Sequence, residues 1–107
     1  MDSNCKYTIL YTHSAEQDID NLFTYIKEKL GSVKAAEKQV INIYTAVMKL
    51  ETFPKCCEVL SFKKFRERGY RRLIVDNYLI FYTVDEKSKK VILMRVLYGK
   101  QKYEDIL

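Results

Sequence analysis

The chain has 107 residues, of which 48% are hydrophobic and 31% charged, a size and composition typical of one globular domain that folds without disulfides or metal. It contains no apolar run approaching the ~20 residues of a membrane span, and its N-terminus lacks the basic start of a signal peptide. We therefore expect a single domain over residues 1–107, located in the cytoplasm and not associated with membranes.

The three cysteines are Cys5, Cys56 and Cys57. Their odd number and the absence of C-x-x-C spacing argue against a disulfide framework and against a zinc site. We interpret the adjacent pair Cys56–Cys57 as two buried or half-buried thiols in a reducing compartment, in preference to a redox centre. We expect no bound metal and no cofactor.

A strand and a helix are predicted at the beginning of the chain. Residues Lys6 to Thr12 are rich in Tyr, Ile and Thr, which favours a strand. Ser14 and Gln17 have the spacing of a capping box and predict the start of a helix, whereas Gly31 predicts its end. The apolar residues of this helix recur at three and four: Ile19, Leu22, Phe23, Ile26 and Leu30.

A second helix is predicted from Ser32, its N-cap, to Phe53-Pro54, because a proline forces the preceding residue out of helical geometry. Its apolar positions are Val33, Ala36, Val40, Ile43, Val47 and Leu50. Two helices joined only by Gly31-Ser32 should form a tight antiparallel hairpin. Each helix has one apolar stripe, so both need a common surface to cover.

That surface is predicted in the second half of the chain. Lys55 to Arg68 is compatible with a strand or with an irregular basic loop. Three strands follow at Arg71–Val75, Tyr78–Val84 and Val91–Tyr98, with Asp76-Asn77 as a two-residue turn. This turn sets the cross-strand pairs Val75 with Tyr78, Ile74 with Leu79, Leu73 with Ile80, Arg72 with Phe81 and Arg71 with Tyr82.

The strand at Tyr78–Val84 is apolar on both faces, which indicates an interior strand that is covered on both sides. The helical hairpin covers one side; the tail, the basic loop or another protein must cover the other. We therefore predict an α+β fold of the order β-α-α-β-β-β, with an N-terminal strand and a helical hairpin packed on a small, mainly antiparallel, twisted sheet.

The positive charge is concentrated in one segment. Between Phe62 and Arg72 lie six basic residues and one acid, Glu67, which gives a segment charge of 6 − 1 = +5, equal to the formal net charge of the chain. A local excess of this kind favours a polyanionic or acidic partner, although a solvated loop is an equally good interpretation.

Four pieces of the sequence occur in a characteristic order: Pro54, Tyr70-Arg71-Arg72-Leu73, Tyr78-Leu79-Ile80-Phe81-Tyr82, and Arg95-Val96-Leu97-Tyr98-Gly99-Lys100-Gln101. Together with the succession of strand, two helices and antiparallel sheet, this order resembles the RelE/ParE superfamily of bacterial toxins from type II toxin–antitoxin modules. The resemblance extends over almost the whole chain.

The resemblance implies a small toxin that is neutralised by a cognate antitoxin, with growth inhibition and plasmid stabilisation as associated roles. RelE-like members cut mRNA on the ribosome without metal, whereas ParE-like members inhibit DNA gyrase and are not nucleases. The two branches share one fold, so the predicted fold does not decide between gyrase and ribosome or mRNA as the target.

The resemblance also implies candidate site residues. For a metal-independent, ribosome-dependent endoribonuclease, Arg71 or Arg72 matches the first basic position of the sheet, Tyr103 matches an aromatic residue of the tail, and Lys100 follows Gly99. The other candidates would bind the target or RNA: Lys63, Lys64, Arg66, Arg68, Tyr78, Arg95 and Gln101.

Two positions depart from the RelE-like pattern, in which Leu79 and Gln101 would both be arginine. Leu offers no charge to a developing phosphorane and Gln offers only a hydrogen bond, so an RNase would lose much of its electrostatic stabilisation. These departures favour the ParE-like, non-nuclease alternative. Two further hypotheses remain: a non-enzymatic RNA- or protein-binding module, and a decayed toxin that serves its antitoxin as a co-repressor.

Overall fold

The computed structural model describes residues 6–100 and 106–107. The elements are β1 (Thr8–Tyr11), α1 (His13–Leu30), α2 (Val33–Met48), a 3₁₀ helix (Lys49–Glu51), α3 (Lys63–Glu67), β2 (Arg71–Val75), β3 (Tyr78–Asp85) and β4 (Lys90–Tyr98). This order confirms the predicted α+β arrangement and adds one short helix, α3. Within the described ranges, no helix is long and apolar enough to cross a membrane.

Helix α1 begins at His13 with Thr12 as its N-cap, so the prediction of Ser14 as the capping residue is wrong. The Thr12 hydroxyl oxygen accepts a hydrogen bond from the Ala15 backbone N–H at 3.1 Å. The same hydroxyl donates to the Met94 carbonyl at 3.0 Å, which fixes the start of the helix to β4. Ser14 lies exposed inside the first turn, where its side chain is past the capping position.

The connection between the two long helices is as predicted. Gly31 ends α1 with a left-handed φ of 62°, and the Ser32 side chain accepts a hydrogen bond from the Ala35 N–H at 3.1 Å. Helix α2 ends at Met48, before the predicted Phe53-Pro54, because the chain tightens there into the 3₁₀ helix.

The four strands form one mixed sheet in the order β1-β4-β3-β2. Strand β1 is parallel to β4, and the other two pairs are antiparallel. Asp76 has a φ of 54°, in agreement with a tight turn between β2 and β3. All five predicted cross-strand pairs, from Arg71–Tyr82 to Val75–Tyr78, are confirmed.

Strand β3 is covered on both sides, as predicted. On the side we call the helix side, residues of α1, α2 and the sheet form the main core, which includes Ile19, Leu22, Ile43, Val47, Leu50, Ile80, Tyr82, Val91 and Leu93. On the opposite side, which we call the basic side, a smaller cluster contains Phe65, Tyr70, Phe81 and Leu97, with Leu60, Leu79, Met94 and Leu107 against it. The basic segment and the end of the tail therefore provide the second cover.

The segment at 52–62 crosses from the helix side to the basic side with little regular structure, apart from a single bridge between Val59 and Arg71. The basic residues after it form helix α3, so neither of the two predictions for Lys55 to Arg68, a strand or an irregular loop, describes this part. Cys57 is half-buried as predicted, but Cys56 is exposed, and the prediction is wrong for that thiol.

Candidate functional site

Strand β4 contains a bulge next to Arg95. Phe81 lies opposite Arg95, whereas the next residue of β3, Tyr82, lies opposite Leu93, so β4 has an extra residue at this point. Met94 packs into the cluster on the basic side. Arg95 instead contacts Asp18 of α1, on the helix side.

Asp18 receives three hydrogen bonds at this bulge. The Arg95 guanidinium donates to both carboxylate oxygens, from Nε to Oδ2 at 2.7 Å and from Nη2 to Oδ1 at 2.9 Å. The Val96 backbone N–H also donates to Oδ2, at 2.9 Å. This bidentate ion pair is mostly shielded from water, since the Asp18 and Arg95 side chains are only 10% and 27% exposed.

The contacts at Asp18 give the ion pair a structural role. Hydrogen bonding to Asp18 raises the pKa of Arg95 above its ordinary value, so the guanidinium remains charged. The carboxylate holds α1 against the irregular part of β4 and satisfies a backbone N–H there. Arg95 was predicted to bind the target or RNA; its guanidinium is used inside the protein, and a contact with a target stays a prediction.

A groove of about 530 Å³ lies beside this ion pair, between α1 and the end of the sheet. Two predicted binding residues, Tyr78 and Arg95, meet in its wall. The rings of Tyr78 and Tyr98 contact edge to face there, with centroids 5.8 Å apart. The groove is lined by Asp18, Asn21, Leu22, Tyr25, Tyr78, Arg95, Val96, Leu97, Tyr98 and Ile106.

Arg71 and Arg72, the two candidates for the first basic position of the sheet, face opposite sides. Arg71 lies opposite Tyr82 on the helix side, and its Nη1 donates to the Cys57 carbonyl at 2.5 Å. Arg72 lies opposite Phe81 on the basic side. Because neighbouring side chains of a strand point to opposite faces, both arginines cannot approach one phosphate from one side of the sheet.

Four of the predicted binding residues, Lys63, Lys64, Arg66 and Arg68, lie exposed on or next to α3. Their helix is held to the sheet by Phe65, whose ring stacks with those of Phe62 and Tyr70 at centroid distances of 6.0 Å each. Gly69 has a φ of 72° and turns the chain from α3 into β2. The basic residues therefore surround a buried aromatic anchor on the basic side.

The remaining candidates lie near the end of β4. Lys100 is exposed and lines a cavity of about 230 Å³ together with Leu79 and Gly99. Gly99 allows close packing here, because a Cβ at this position would lie 3.1 Å from the Asn77 carbonyl oxygen. Gln101 and Tyr103 lie outside the described residues.

These positions limit the chemistry that the described residues support. Cleavage of RNA by its own 2′-hydroxyl needs a base, an acid and cations that converge on one phosphate. Leu79, an apolar side chain, lines the cavity together with Lys100, at the position where the RelE-like pattern predicts arginine. Within residues 6–100 and 106–107, no group of three or more His, Cys, Asp or Glu side chains is arranged to hold a metal ion.

The role of Asp18 was not identified from the sequence. A signal for that role was present. Asp18 is three residues after Ala15 and four before Leu22, two buried residues of α1, so it lies on the face that packs against the sheet. An acid on an apolar helix face indicates a buried cationic partner.

Comparisons with known proteins agree with the fold and with the resemblance. The sequence profile of the family described as ParE toxin of type II toxin-antitoxin system, parDE, matches residues 9–103. The chromosomal ParDE TA system from P. aeruginosa contains a similar chain, with a TM-score of 0.75, 17% sequence identity, and coverage of 90% of this chain and 99% of that one.

A second similar chain belongs to the toxin–antitoxin complex RelBE2 from Mycobacterium tuberculosis, with a TM-score of 0.60, 19% identity, and coverage of 87% of this chain and 98% of that one. At such identities the likeness shows a shared fold. No curated protein matches the sequence significantly.

Proposed function

Because the chain belongs to the ParE toxin family of type II toxin–antitoxin systems, we propose that it arrests bacterial growth by binding DNA gyrase and that a cognate antitoxin neutralises it. The two similar structures are described as a ParDE system and as a toxin–antitoxin complex, which supports an antitoxin partner for this chain as well. Binding of a protein target needs no catalytic group, and the proposed activity is therefore not enzymatic.

The main observation in favour of gyrase binding over RNA cleavage is that two arginines of the sheet already form hydrogen bonds within the protein. Arg95 is held in a bidentate pair with Asp18, and Arg71 donates to the Cys57 carbonyl. Extracting either guanidinium for a phosphate would leave a partly buried acceptor without its partner, which typically costs about 1–3 kcal/mol. Leu79 adds no charge. Two of the sheet arginines, Arg71 and Arg95, are thus engaged inside the protein, and Leu79 stands where the RelE-like pattern has a third arginine.

The basic side is the proposed contact surface for the target. Lys63, Arg66 and Arg68 are exposed there, and Phe65 fixes the helix that carries them. A rigidly held group of cations favours an acidic protein surface and raises the rate of encounter with it. Arg72 belongs to the same side of the sheet and extends this surface toward β3.

Growth and target assays test the proposal in two steps. Induced expression of the chain alone should arrest growth, and coexpression of its cognate antitoxin should restore growth. Purified chain should then stop gyrase from supercoiling a relaxed plasmid. In the same preparation, toeprinting on translating ribosomes should find intact mRNA.

Each outcome decides between the alternatives. Cleavage of mRNA in the ribosomal A site with unchanged supercoiling would assign the chain to the RelE-like branch. Normal growth with soluble, folded protein would contradict any toxin function and favour a binding module or a co-repressor.

A further inference from the structure

The adjacent cysteines Cys56 and Cys57 form a close pair of thiols. Their sulfur atoms are 3.5 Å apart. Cys56 is exposed, and Cys57 is half-buried with its side chain beside Tyr82. The pair lies in the irregular segment at 52–62, in which backbone dihedrals are not constrained by a helix or a long ladder of hydrogen bonds.

Two hydrogen bonds hold the ends of this cysteine turn to the sheet. The buried Tyr82 hydroxyl donates to the Pro54 carbonyl at 2.9 Å. The Arg71 guanidinium donates to the Cys57 carbonyl at 2.5 Å. The orientation of the peptide at Cys57 therefore decides whether Arg71 keeps its partner.

In contrast to our interpretation of the sequence, and because Cys56 is exposed, we propose that Cys56 and Cys57 are a reversible oxidation site, at which hydrogen peroxide converts the two thiols into a disulfide between adjacent residues. The exposed Cys56 sulfur attacks the peroxide, becomes a sulfenic acid and releases water. The Cys57 sulfur then displaces a second water from that sulfenic acid. Overall, two thiols lose two protons and two electrons, and one peroxide molecule becomes two water molecules.

The environment assigns different parts to the two thiols. Cys56 meets the oxidant because it is exposed. Burial raises the pKa of the Cys57 thiol above its ordinary value, so Cys57 is the less reactive thiol and acts second, in resolving the sulfenic acid. Proximity makes this second step intramolecular, which protects Cys56 from further, irreversible oxidation.

Covalent geometry makes such a disulfide easy to reduce. Adjacent Cα atoms are about 3.8 Å apart across a trans peptide, whereas relaxed disulfides join Cα atoms about 4.4–6.8 Å apart. The resulting ring is strained, and strained, exposed disulfides are the labile ones that cellular thiols reverse. Its closure must reorient the peptide between the two cysteines and thereby change the backbone dihedrals of Cys57. The Cys57 carbonyl lies in the following peptide and accepts from Arg71, so we expect this shift to weaken that contact.

The chemical step is tested in the full chain with Cys5→Ser, which leaves only this pair. After treatment with hydrogen peroxide, neither Cys56 nor Cys57 should react any longer with a thiol-specific reagent. The tryptic peptide Cys56–Lys63 should become lighter by about 2 Da, the mass of two hydrogen atoms, and dithiothreitol should reverse the change. The matched controls Cys56→Ser and Cys57→Ser, in the same background, should form no such peptide.

Three results would overturn the oxidation site: two free thiols at a peroxide concentration that oxidises the single-cysteine controls, a peptide that gains oxygen mass, or a disulfide between two chains. None of these depends on the proposed toxin function, so the two proposals fail separately.

The coupling to Arg71 is tested by thermal unfolding. Oxidation should lower the unfolding midpoint of the Cys5→Ser protein by about 5 °C, the shift that corresponds to loss of one good hydrogen bond in a domain of this size. In Cys5→Ser with Arg71→Met, which retains an apolar stem but has no donor, the shift should be at most half as large. Equal shifts in the two proteins would show that oxidation does not act through Arg71.

Discussion

The two sides of the sheet use their basic residues differently. On the helix side, Arg95 binds Asp18 and Arg71 binds the Cys57 carbonyl, so both guanidinium groups stabilise the fold. On the basic side, Lys63, Arg66 and Arg68 project from or next to a short helix into solvent. The first two arginines are thus engaged inside the protein, whereas the cations of the basic side face solvent and can contact a partner.

The difference shows that an arginine in a strand is not by itself a functional residue. Arg71 and Arg72 are neighbours in sequence, and yet pleating sends them to opposite sides with different surroundings. Arg95 lies opposite Phe81 next to a bulge in β4, and its guanidinium binds Asp18 of α1. The surroundings of each side chain, and not its place in a motif, indicate what it can bind.

The largest expected effect is the loss of the anchor under the basic side. Phe65 is 0% exposed and fills the cluster between α3 and the sheet. Phe65→Ala should lower the free energy of unfolding by about 3–5 kcal/mol, because it removes the whole ring from a packed site. Urea unfolding followed by circular dichroism measures this.

The matched control for that experiment is Phe62→Ala. Phe62 stacks on Phe65 but is 59% exposed, and its loss should cost less than about 1 kcal/mol. Similar losses for the two variants would mean that Phe65 does not anchor the basic side.

Removal of Asp18 should have the next largest effect. Asp18→Ala leaves a partly buried guanidinium and a backbone N–H without their acceptor, and should cost about 2–3 kcal/mol. The exposed acid Asp20 lies on the same helix, so Asp20→Ala is the control and should change stability by less than about 0.5 kcal/mol.

A double-mutant cycle with Arg95→Met isolates the ion pair. If the pair stabilises the helix side, the two single changes should be non-additive by about 1–3 kcal/mol. Strictly additive effects would mean that Asp18 and Arg95 do not stabilise each other. The comparison of the two sides would then lose its basis, because Arg95 would not be engaged in an ion pair.

Tyr82 provides a smaller effect that depends on pH. Burial raises the pKa of Tyr82 above its ordinary value, and burial likewise raises the pKa of Tyr11 to about 12. The unfolded chain, with tyrosine pKa values of about 10, therefore loses these protons first. The contribution of these two neutral tyrosines to the free energy of unfolding is therefore complete below pH ~10, and it is lost as the pH rises toward their pKa values in the folded chain.

Tyr82→Phe tests this linkage. At pH 7 it should cost about 1 kcal/mol through the lost hydrogen bond to Pro54. Above pH ~10, the free energy of unfolding should fall with pH in both proteins. The slope should be smaller in the variant by about 1.4 kcal/mol per pH unit, because the variant lacks one titrating hydroxyl. Parallel curves for the two proteins would contradict a buried, neutral Tyr82.

The smallest effect on stability is expected where the charges are exposed. The triple change Lys63→Glu, Arg66→Glu and Arg68→Glu should alter the free energy of unfolding by less than about 1 kcal/mol, because exposed charges contribute little to folding. Thermal unfolding at low and moderate salt measures this. A large loss would mean that these side chains hold α3 in place, like the arginines of the helix side.

Local patterns were sufficient to predict much of the fold. The Gly31-Ser32 connection, the turn at Asp76-Asn77 and the register of β2 against β3 follow from short-range chemistry that sequence displays directly. The N-cap was misplaced because the residue that caps α1, Thr12, is selected by its contact with β4, far away in the chain.

The candidate site was less predictable, for a physical reason. In β2, strand alternation correctly predicts that Arg71 and Arg72 lie on opposite sides of the sheet. In β4, a bulge changes the alternation, and no local sequence pattern predicts that bulge. The exposure of Cys56 and the helix at Lys63–Glu67 also depend on how the segment at 52–62 crosses the edge of the sheet. Long-range packing decides these features, so local patterns alone do not predict them.

The most direct test of the proposed division between the two sides is a gyrase supercoiling assay on three purified proteins. Two of them are the unchanged chain and the basic-side triple variant. The third is a control with Lys27→Glu, Lys34→Glu and Lys38→Glu, three changes on the exposed surface of the helical hairpin. The control has the same change in net charge. We expect the unchanged chain and the control to inhibit supercoiling alike, and the basic-side variant to need at least about tenfold more protein. Equal inhibition by all three, or inhibition by none, would contradict the account.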